Sequence, residues 1–62
     1  MPMIKVEMFA GRSDEQKRAL VQELTDAFIR TAGGNPEAVE VMIVDVEKSN
    51  WARGGMLFSD KG

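Results

Sequence analysis

The sequence predicts an α+β fold: a single βαβ unit with parallel strands, a short C-terminal hairpin and an obligate oligomeric state. Three stretches of the 62-residue chain carry this prediction. An alternating run comes first (Met3 to Phe9), a helical pattern follows (Asp14 to Ala32), and an almost continuously apolar run comes third (Ala38 to Val46). No repeat, linker or low-complexity segment interrupts them, so residues 1–62 are expected to form one domain.

The first run alternates as a strand with one apolar face does. Ile4, Val6 and Met8 point to one side, whereas Lys5 and Glu7 point to the other. The segment therefore predicts a strand from Met3 to Phe9 that packs its apolar face against another element.

A capping motif predicts where the helix begins. Ser13 provides the cap and Gln16 completes a capping box three residues later. Asp14 and Glu15 suit the positive end of the helix dipole. The glycine pair at 33–34 ends the helix. The positions that recur at helical spacing, and are expected on its inner face, are Leu20, Leu24, Ala27, Phe28 and Thr31.

The third run predicts a strand that is apolar on both faces. A crossover that contains a helix of roughly 19 residues makes the two long strands parallel, with a right-handed connection. One helix covers only one face of a two-stranded sheet, so the other face is expected to meet another subunit. After this strand, Gly54 and Gly55 lead into a short run, Met56 to Phe58, that is expected to form a hairpin with Trp51 and Ala52.

Size and composition also favour assembly. A chain this short buries only about 60% of the surface that its unfolded form exposes. It has no Cys for a disulfide and no His for an imidazole metal site, so oligomerisation is the remaining way to compensate. The net charge of −2, without a basic stripe, argues against nucleic acid as a partner. No run approaches a membrane span and no signal-peptide core is present, so a cytoplasmic location is expected.

The residue at position 2 raises a question of function. A proline is tolerated at the first residue of a strand, which is one explanation. The other is that cells usually remove Met1 before a small residue, which would leave Pro2 with a free secondary amine that can act as a base. With Met1 in place the same nitrogen is an amide and is not basic.

Several motifs together resemble 4-oxalocrotonate tautomerase, and the resemblance runs over nearly the whole chain. They are Pro2, the alternating strand, "GRSDEQK" from Gly11 to Lys17, and a second apolar strand followed by an aromatic residue and "GG" at Trp51 to Gly55. The resemblance implies a tautomerase/MIF-like fold, hexamers of βαβ protomers, no metal or cofactor, and a role in the catabolism of aromatic compounds.

The resemblance also implies roles for single residues. Pro2 would be the general base, and Arg12 would hold a substrate carboxylate, for which a guanidinium fork is suited. Trp51 would form the wall of the site, although a large apolar residue at a subunit interface is an equally good explanation. Glu40 departs from the family, whose best-known members carry a second arginine there. Arg53 would supply a replacement cation, pair with Glu40 across subunits, or be a solvated hairpin charge.

The function predicted from the sequence is therefore a cofactor-free tautomerase, an enol–keto isomerase of a small 2-hydroxydienoate or 2-oxo acid. Pro2 would be its catalytic residue, and Arg12, Trp51 and Arg53 would bind the substrate. Two alternatives stay open. One is a hydratase or dehalogenase acting on an unsaturated acid, with Glu40 activating water. The other is a non-catalytic oligomeric module in which Pro2 only begins a strand.

Overall fold

The computed structural model describes residues 1–61 and has the predicted βαβ architecture. Strand β1 (Met3–Phe9) is followed by helix α1 (Asp14–Ala32) and by strand β2 (Glu40–Val46). β1 and β2 pair in parallel, with Met3 opposite Glu40 and Phe9 opposite Val46. A separate antiparallel hairpin, β3 (Ala52–Arg53) and β4 (Met56–Leu57), follows.

Helix α1 begins and ends where its sequence predicts. The Ser13 hydroxyl accepts a hydrogen bond from the Gln16 backbone N–H at 3.1 Å, and the Gln16 side chain accepts one from the Ser13 N–H at 2.9 Å. At the other end Gly33 adopts φ +78°, and its N–H donates to the Ile29 carbonyl. Such a positive φ suits glycine, because a Cβ would be strained there.

One position expected on the inner face of the helix is in fact exposed. Thr31 turns to solvent, and its hydroxyl donates to the Ala27 carbonyl at 2.8 Å. Threonine can satisfy its hydroxyl on its own helix in this way, so helical spacing alone does not bury it.

The second strand is shorter than predicted. Ala38 and Val39 lie outside β2, because Pro36–Ala38 form a single 3₁₀ turn with Pro36 at its start. The Asn35 side chain caps this turn by accepting from the Glu37 N–H at 3.0 Å. Proline at the first position of a turn and a side-chain cap before it outweigh the strand preference of the two residues that follow.

The hairpin forms one residue later than predicted. Ala52 pairs with Leu57 and Arg53 with Met56, across a two-residue loop in which Gly54 and Gly55 have φ +58° and +85°. A two-residue loop with both residues at positive φ favours glycine, which explains the "GG". Trp51 still contributes to the ladder, because its carbonyl accepts from the N–H of Phe58 at 2.8 Å.

Helix α1 covers one face of the β1–β2 sheet, and an ion pair marks which face. Lys17 of α1 contacts Asp45 of β2, with 2.5 Å between its Nζ and the carboxylate oxygen. The hydrogen bond with Asp45 raises the pKa of Lys17 above its ordinary value, and the negative charges of Asp45 and Asp14 add to this. Side chains of partnered residues in a parallel pair share a face, so Met8, the partner of Asp45, also faces the helix.

The opposite face, called here the helix-free face, is uncovered within the protomer. It carries Met3 and Met42, whose side chains are 51% and 48% exposed. Lys5 and Glu7 lie on the same face. No side chain among residues 1–61 is fully buried, so the protomer has no closed core of its own.

The overall shape supports the same conclusion. The radius of gyration is 14.8 Å and the dimensions are 43 × 25 × 15 Å. A compact domain of this length would have a radius of gyration of about 11 Å. The protomer is thus a flat, open unit, as expected of a chain that completes its core against other subunits. Among residues 1–61 no helix is long and apolar enough to cross a membrane.

Candidate active site

The predicted site residues lie at the two ends of the β1–β2 sheet. Pro2 immediately precedes β1, at the end where both parallel strands begin. Arg12, Trp51 and Arg53 follow the opposite ends of β1 and β2. The seven residues of β1 separate the two groups, and at about 3.3 Å per residue they span roughly 23 Å. Pro2 is therefore far from the other three within one protomer.

Pro2 is held against the first residue of β2. Its carbonyl accepts a hydrogen bond from the Glu40 backbone N–H at 2.9 Å. The proline is half-buried, whereas Met1 before it is 91% exposed. The chain thus fixes Pro2 by its main chain and leaves the methionine open to enzymatic removal.

Arg12 lies in the loop between β1 and α1, one residue before the helix cap. It is exposed, and its guanidinium makes no hydrogen bond or ion pair within residues 1–61. Gly11 before it has φ +124°, a conformation open to glycine that turns the chain from the strand toward the helix. All five guanidinium donors are available to an anion.

Trp51 belongs to a cluster of three aromatic rings. Its ring centroid is 4.7 Å from that of Phe9 and 6.3 Å from that of Phe58, and Phe9 and Phe58 are 5.2 Å apart. All three pairs meet edge to face, an arrangement that aromatic quadrupoles favour. Phe9 and Phe58 therefore fix the direction of the Trp51 indole.

The two phenylalanines of this cluster are not among the site residues predicted from the sequence. Two signals could have found them. Phe9 breaks the alternation of β1 by following the apolar Met8, and Phe58 lies across the hairpin from Trp51.

Three cations surround the aromatic cluster. Lys61 and Arg53 lie over the Phe58 ring, with the Lys61 Nζ 4.7 Å and the Arg53 Cζ 5.4 Å from its centroid. Lys48 lies 5.5 Å from the centroid of Phe9. Such contacts hold a cation in place without neutralising it. Arg53 is thus a positioned positive charge and not paired with Glu40 within the protomer.

A shallow cleft of about 220 Å³ lies beside the indole. Its walls come from the end of the sheet and from the segment after β2, namely Glu7, Val46, Asn50, Trp51 and Ala52. Glu7 and Val46 belong to the helix-free face. The cleft is therefore open in the direction from which another subunit would approach. Within residues 1–61 no group of three or more acidic side chains is placed to hold a metal ion.

Comparisons with known proteins identify the family to which this fold and sequence belong. The family model of the tautomerase enzymes matches residues 2–61. A probable tautomerase of Staphylococcus epidermidis is 46% identical over 61 residues, which are 98% of this chain and 100% of the relative. The crystal structure of a 4-oxalocrotonate tautomerase homologue superposes with a TM-score of 0.90 at 44% identity, covering 100% of this chain and 98% of that one.

A more distant structure extends the likeness. The heterohexamer 4-oxalocrotonate tautomerase from Chloroflexus aurantiacus superposes with a TM-score of 0.89 at 28% identity, over 97% of both chains. Length, fold and sequence thus agree along almost the entire chain. The chain belongs to the tautomerase family.

Proposed function

We propose that this protein is a cofactor-independent tautomerase that interconverts the enol and keto forms of a small 2-hydroxydienoate or 2-oxo acid. After removal of Met1, the secondary amine of Pro2 is the general base that takes a proton from carbon and the acid that returns it. Arg12 binds the substrate carboxylate, Trp51 forms the wall of the site, and Arg53 supplies a second positive charge.

The observation that carries the proposal is the placement of Pro2. It is half-buried and held by the hydrogen bond from Glu40, with only the exposed Met1 before it. Removal of one accessible residue therefore creates an amine whose ring fixes its direction. Partial burial disfavours the ammonium form, and a nearby Arg12 guanidinium would disfavour it further.

The catalytic amine and the carboxylate clamp must come from different subunits. Pro2 and Arg12 of one protomer lie roughly 23 Å apart along β1, which is much longer than a small 2-oxo acid. A site that uses both residues needs the amino end of the β1–β2 sheet in one protomer, where the strands begin, to lie beside the carboxyl end of the sheet in another. The open helix-free face and the open cleft beside Trp51 support this arrangement.

The assembly we propose is a homo-oligomer, and specifically a hexamer built as a trimer of dimers. A protomer without a fully buried side chain has little to stabilise it alone. Analytical ultracentrifugation at micromolar concentration should therefore find no compact, cooperatively folding monomer. A stable folded monomer would contradict this part of the proposal.

The reaction follows from these positions. The lone pair of the Pro2 nitrogen accepts a proton from a carbon next to the carbonyl, and negative charge develops on the dienolate. The Arg12 guanidinium stabilises that charge through the bound carboxylate. The prolinium then gives the proton to the carbonyl oxygen of the dienolate, which yields the enol. The reverse sequence, from oxygen to carbon, converts an enol substrate to its keto form. The Trp51 indole limits the access of water, which strengthens the charge interactions within the site.

The test compares protein with and without Met1, each confirmed by intact mass. Met-free protein should tautomerise phenylenolpyruvate or 2-hydroxymuconate, with activity that rises with pH through an apparent pKa below the value of about 8 of a free α-amino group. Protein that keeps Met1 should be inactive, because an amide nitrogen has no basic lone pair. Pro2→Ala should retain part of the activity, because it keeps an amine without the ring. A blocked chain as active as the trimmed chain would contradict the proposal.

One observation favours a second candidate, the hydration or dehalogenation of an unsaturated acid. The Glu40 backbone N–H donates to the Pro2 carbonyl, so the two residues are neighbours. In this second reaction the Glu40 carboxylate would activate water while a protonated Pro2 donates to carbon. Release of halide from a 3-haloacrylate by the Met-free protein, without tautomerisation of either enol, would favour this second activity.

A further inference from the structure

The residue beside Pro2 carries a charge that the proposed mechanism does not use. Glu40 opens β2, and its backbone N–H donates to the Pro2 carbonyl at 2.9 Å. Its side chain is exposed and makes no hydrogen bond or ion pair within residues 1–61. The carboxylate is therefore not neutralised by a partner of the protomer.

The main-chain hydrogen bond limits how far the Glu40 backbone can lie from the Pro2 nitrogen. The nitrogen and the carbonyl oxygen of one residue are joined by three bonds, so the Pro2 nitrogen lies no more than about 7 Å from the Glu40 nitrogen. The glutamate side chain is long enough to bridge much of that distance. An opposite charge within a few ångströms favours the charged form of an amine.

The other charged side chains near this end of the sheet are less well placed. Arg30 lies in the last turn of α1, Glu37 lies in the 3₁₀ turn before β2, and Lys5 lies three residues further along β1. Two of these residues are cations and one is an anion, and none of them has a main-chain hydrogen bond to Pro2. Glu40 is the charged residue that the fold ties directly to the proline.

We propose that Glu40 is a positioning residue that acts through Pro2: its carboxylate stabilises the prolinium form and so sets the lower pH limit of activity. Glu40 opposes Arg12 and burial, both of which favour the neutral amine. The inference rests on the proposed function only in taking Pro2 as the N-terminal residue after removal of Met1. The Pro2 amine should therefore have a higher pKa in this protein than in a variant that lacks the Glu40 charge.

The experiment is a titration of the Pro2 nitrogen by ¹⁵N NMR in Met-free protein labelled with ¹⁵N-proline. The chain has two prolines, so the non-titrating Pro36 amide provides an internal reference. The variants are Glu40→Gln, the charge-retaining Glu40→Asp, and the matched control Glu37→Gln. Sedimentation of each variant checks that the assembly is unchanged.

Glu40→Gln should lower the pKa of the Pro2 amine by about 1 unit, Glu40→Asp should keep it near the parent value, and Glu37→Gln should leave it unchanged. The acid limb of the pH–rate profile should move to lower pH by the same amount in Glu40→Gln. An unchanged Pro2 pKa in Glu40→Gln, or an equal shift in Glu37→Gln, would overturn the inference.

The two proposals fail separately in this design, because the titration needs no turnover. If the Pro2 pKa depends on Glu40 but trimmed protein has no tautomerase activity, the inference stands and the proposed function falls. If activity follows the Pro2 amine but Glu40→Gln does not move its pKa, the proposed function stands and the inference falls.

Discussion

At the amino end of the β1–β2 sheet, Pro2 is joined to Glu40 by one main-chain hydrogen bond, with an exposed methionine before it. At the carboxyl end, three aromatic rings pack edge to face beneath three cations. The first end has a candidate reacting group and a negative charge but no positioned cation. The second end has positioned cations and an aromatic wall but no candidate base.

If Pro2 and Arg12 act together as proposed, one protomer holds two halves of a site and no complete site. The separation of roughly 23 Å follows from the length of β1 and cannot be closed by side-chain motion. The proposed site residues lie at opposite ends of one strand, so the proposed mechanism requires assembly to bring them together. Catalysis and oligomerisation are therefore expected to be lost together.

The largest effect should come from removing the carboxylate clamp at the carboxyl end. Arg12→Ala should lower kcat/KM by about 10- to 100-fold, mainly through KM, because a charge-assisted hydrogen bond to the substrate is lost. The pKa of the Pro2 amine should rise as a nearby positive charge is removed. Steady-state kinetics and an N-terminal titration measure the two changes.

Arg18→Ala is the matched control for this prediction. Arg18 is also an exposed arginine without an ion pair, but it lies in the helix rather than in the loop that follows β1. Equal losses in the two variants would mean that the Arg12 guanidinium has no special place in the site.

Local motifs explain why so much of the fold was predictable. The ends of α1 are fixed by Ser13, Gln16 and Gly33, which act within a few residues of themselves, and the hairpin loop is fixed by its glycines. The predicted start of β2 was wrong, because a capped turn at Pro36 competes with the strand preference of Ala38 and Val39. At such a boundary the turn pattern and the strand pattern compete, and the position of the boundary depends on the strength of each.

The candidate site was less predictable, because its parts are joined by contacts far apart in the sequence. The positions of Pro2, Arg12, Trp51 and Arg53 followed from motifs, but the Phe9–Trp51–Phe58 cluster depends on how the hairpin folds back on β1. The joining of the two ends depends on other subunits. No pattern within a single chain specifies that contact.

A smaller effect is expected from reversing the charge at the amino end. Glu40→Arg should raise the turnover of 2-hydroxymuconate, a dicarboxylate, because it places a cation where negative charge develops. We expect a gain below about 10-fold, because an introduced arginine does not reach the ideal geometry at which one donor contributes about 100- to 1,000-fold. Kinetics on 2-hydroxymuconate and on the monocarboxylate phenylenolpyruvate separate this gain from a general change.

Glu37→Arg is the control for charge alone at this end of the sheet. A folded, assembled Glu40→Arg variant without any gain would mean that Glu40 does not face the site, or that Arg53 already supplies the cation.

The smallest effect should come from the ion pair between the helix and the sheet, which lies outside both halves of the site. Lys17→Met should lower the melting temperature slightly at neutral pH and leave kcat/KM unchanged. Because the pKa of Lys17 is raised in the folded protein, its contribution is complete below the ordinary value of 10.5 and is lost as pH rises through the folded value. The difference in melting temperature between parent and variant should therefore disappear at strongly alkaline pH.

Arg18→Met gives the comparison for this measurement, since Arg18 follows Lys17 in α1 and has no ion pair. A difference that persists unchanged at strongly alkaline pH would show that Lys17 stabilises the fold by the packing of its methylene groups and not by its charge.

Mixed oligomers test whether each site joins the amino end of the β1–β2 sheet in one protomer to the carboxyl end of the sheet in another. One chain keeps a blocked N-terminus and an intact Arg12, and the other has a free Pro2 and Arg12→Ala. Activity is measured as kcat/KM; alone, the blocked chain should be inactive and the Arg12→Ala chain should keep about 1 to 10% of the parent value. Refolded together in equal amounts, they should regain about a quarter of the parent activity, because random mixing in a symmetric oligomer joins an intact Pro2 to an intact Arg12 at that fraction of sites. Mixed oligomers no more active than their two parents would contradict a site shared between protomers.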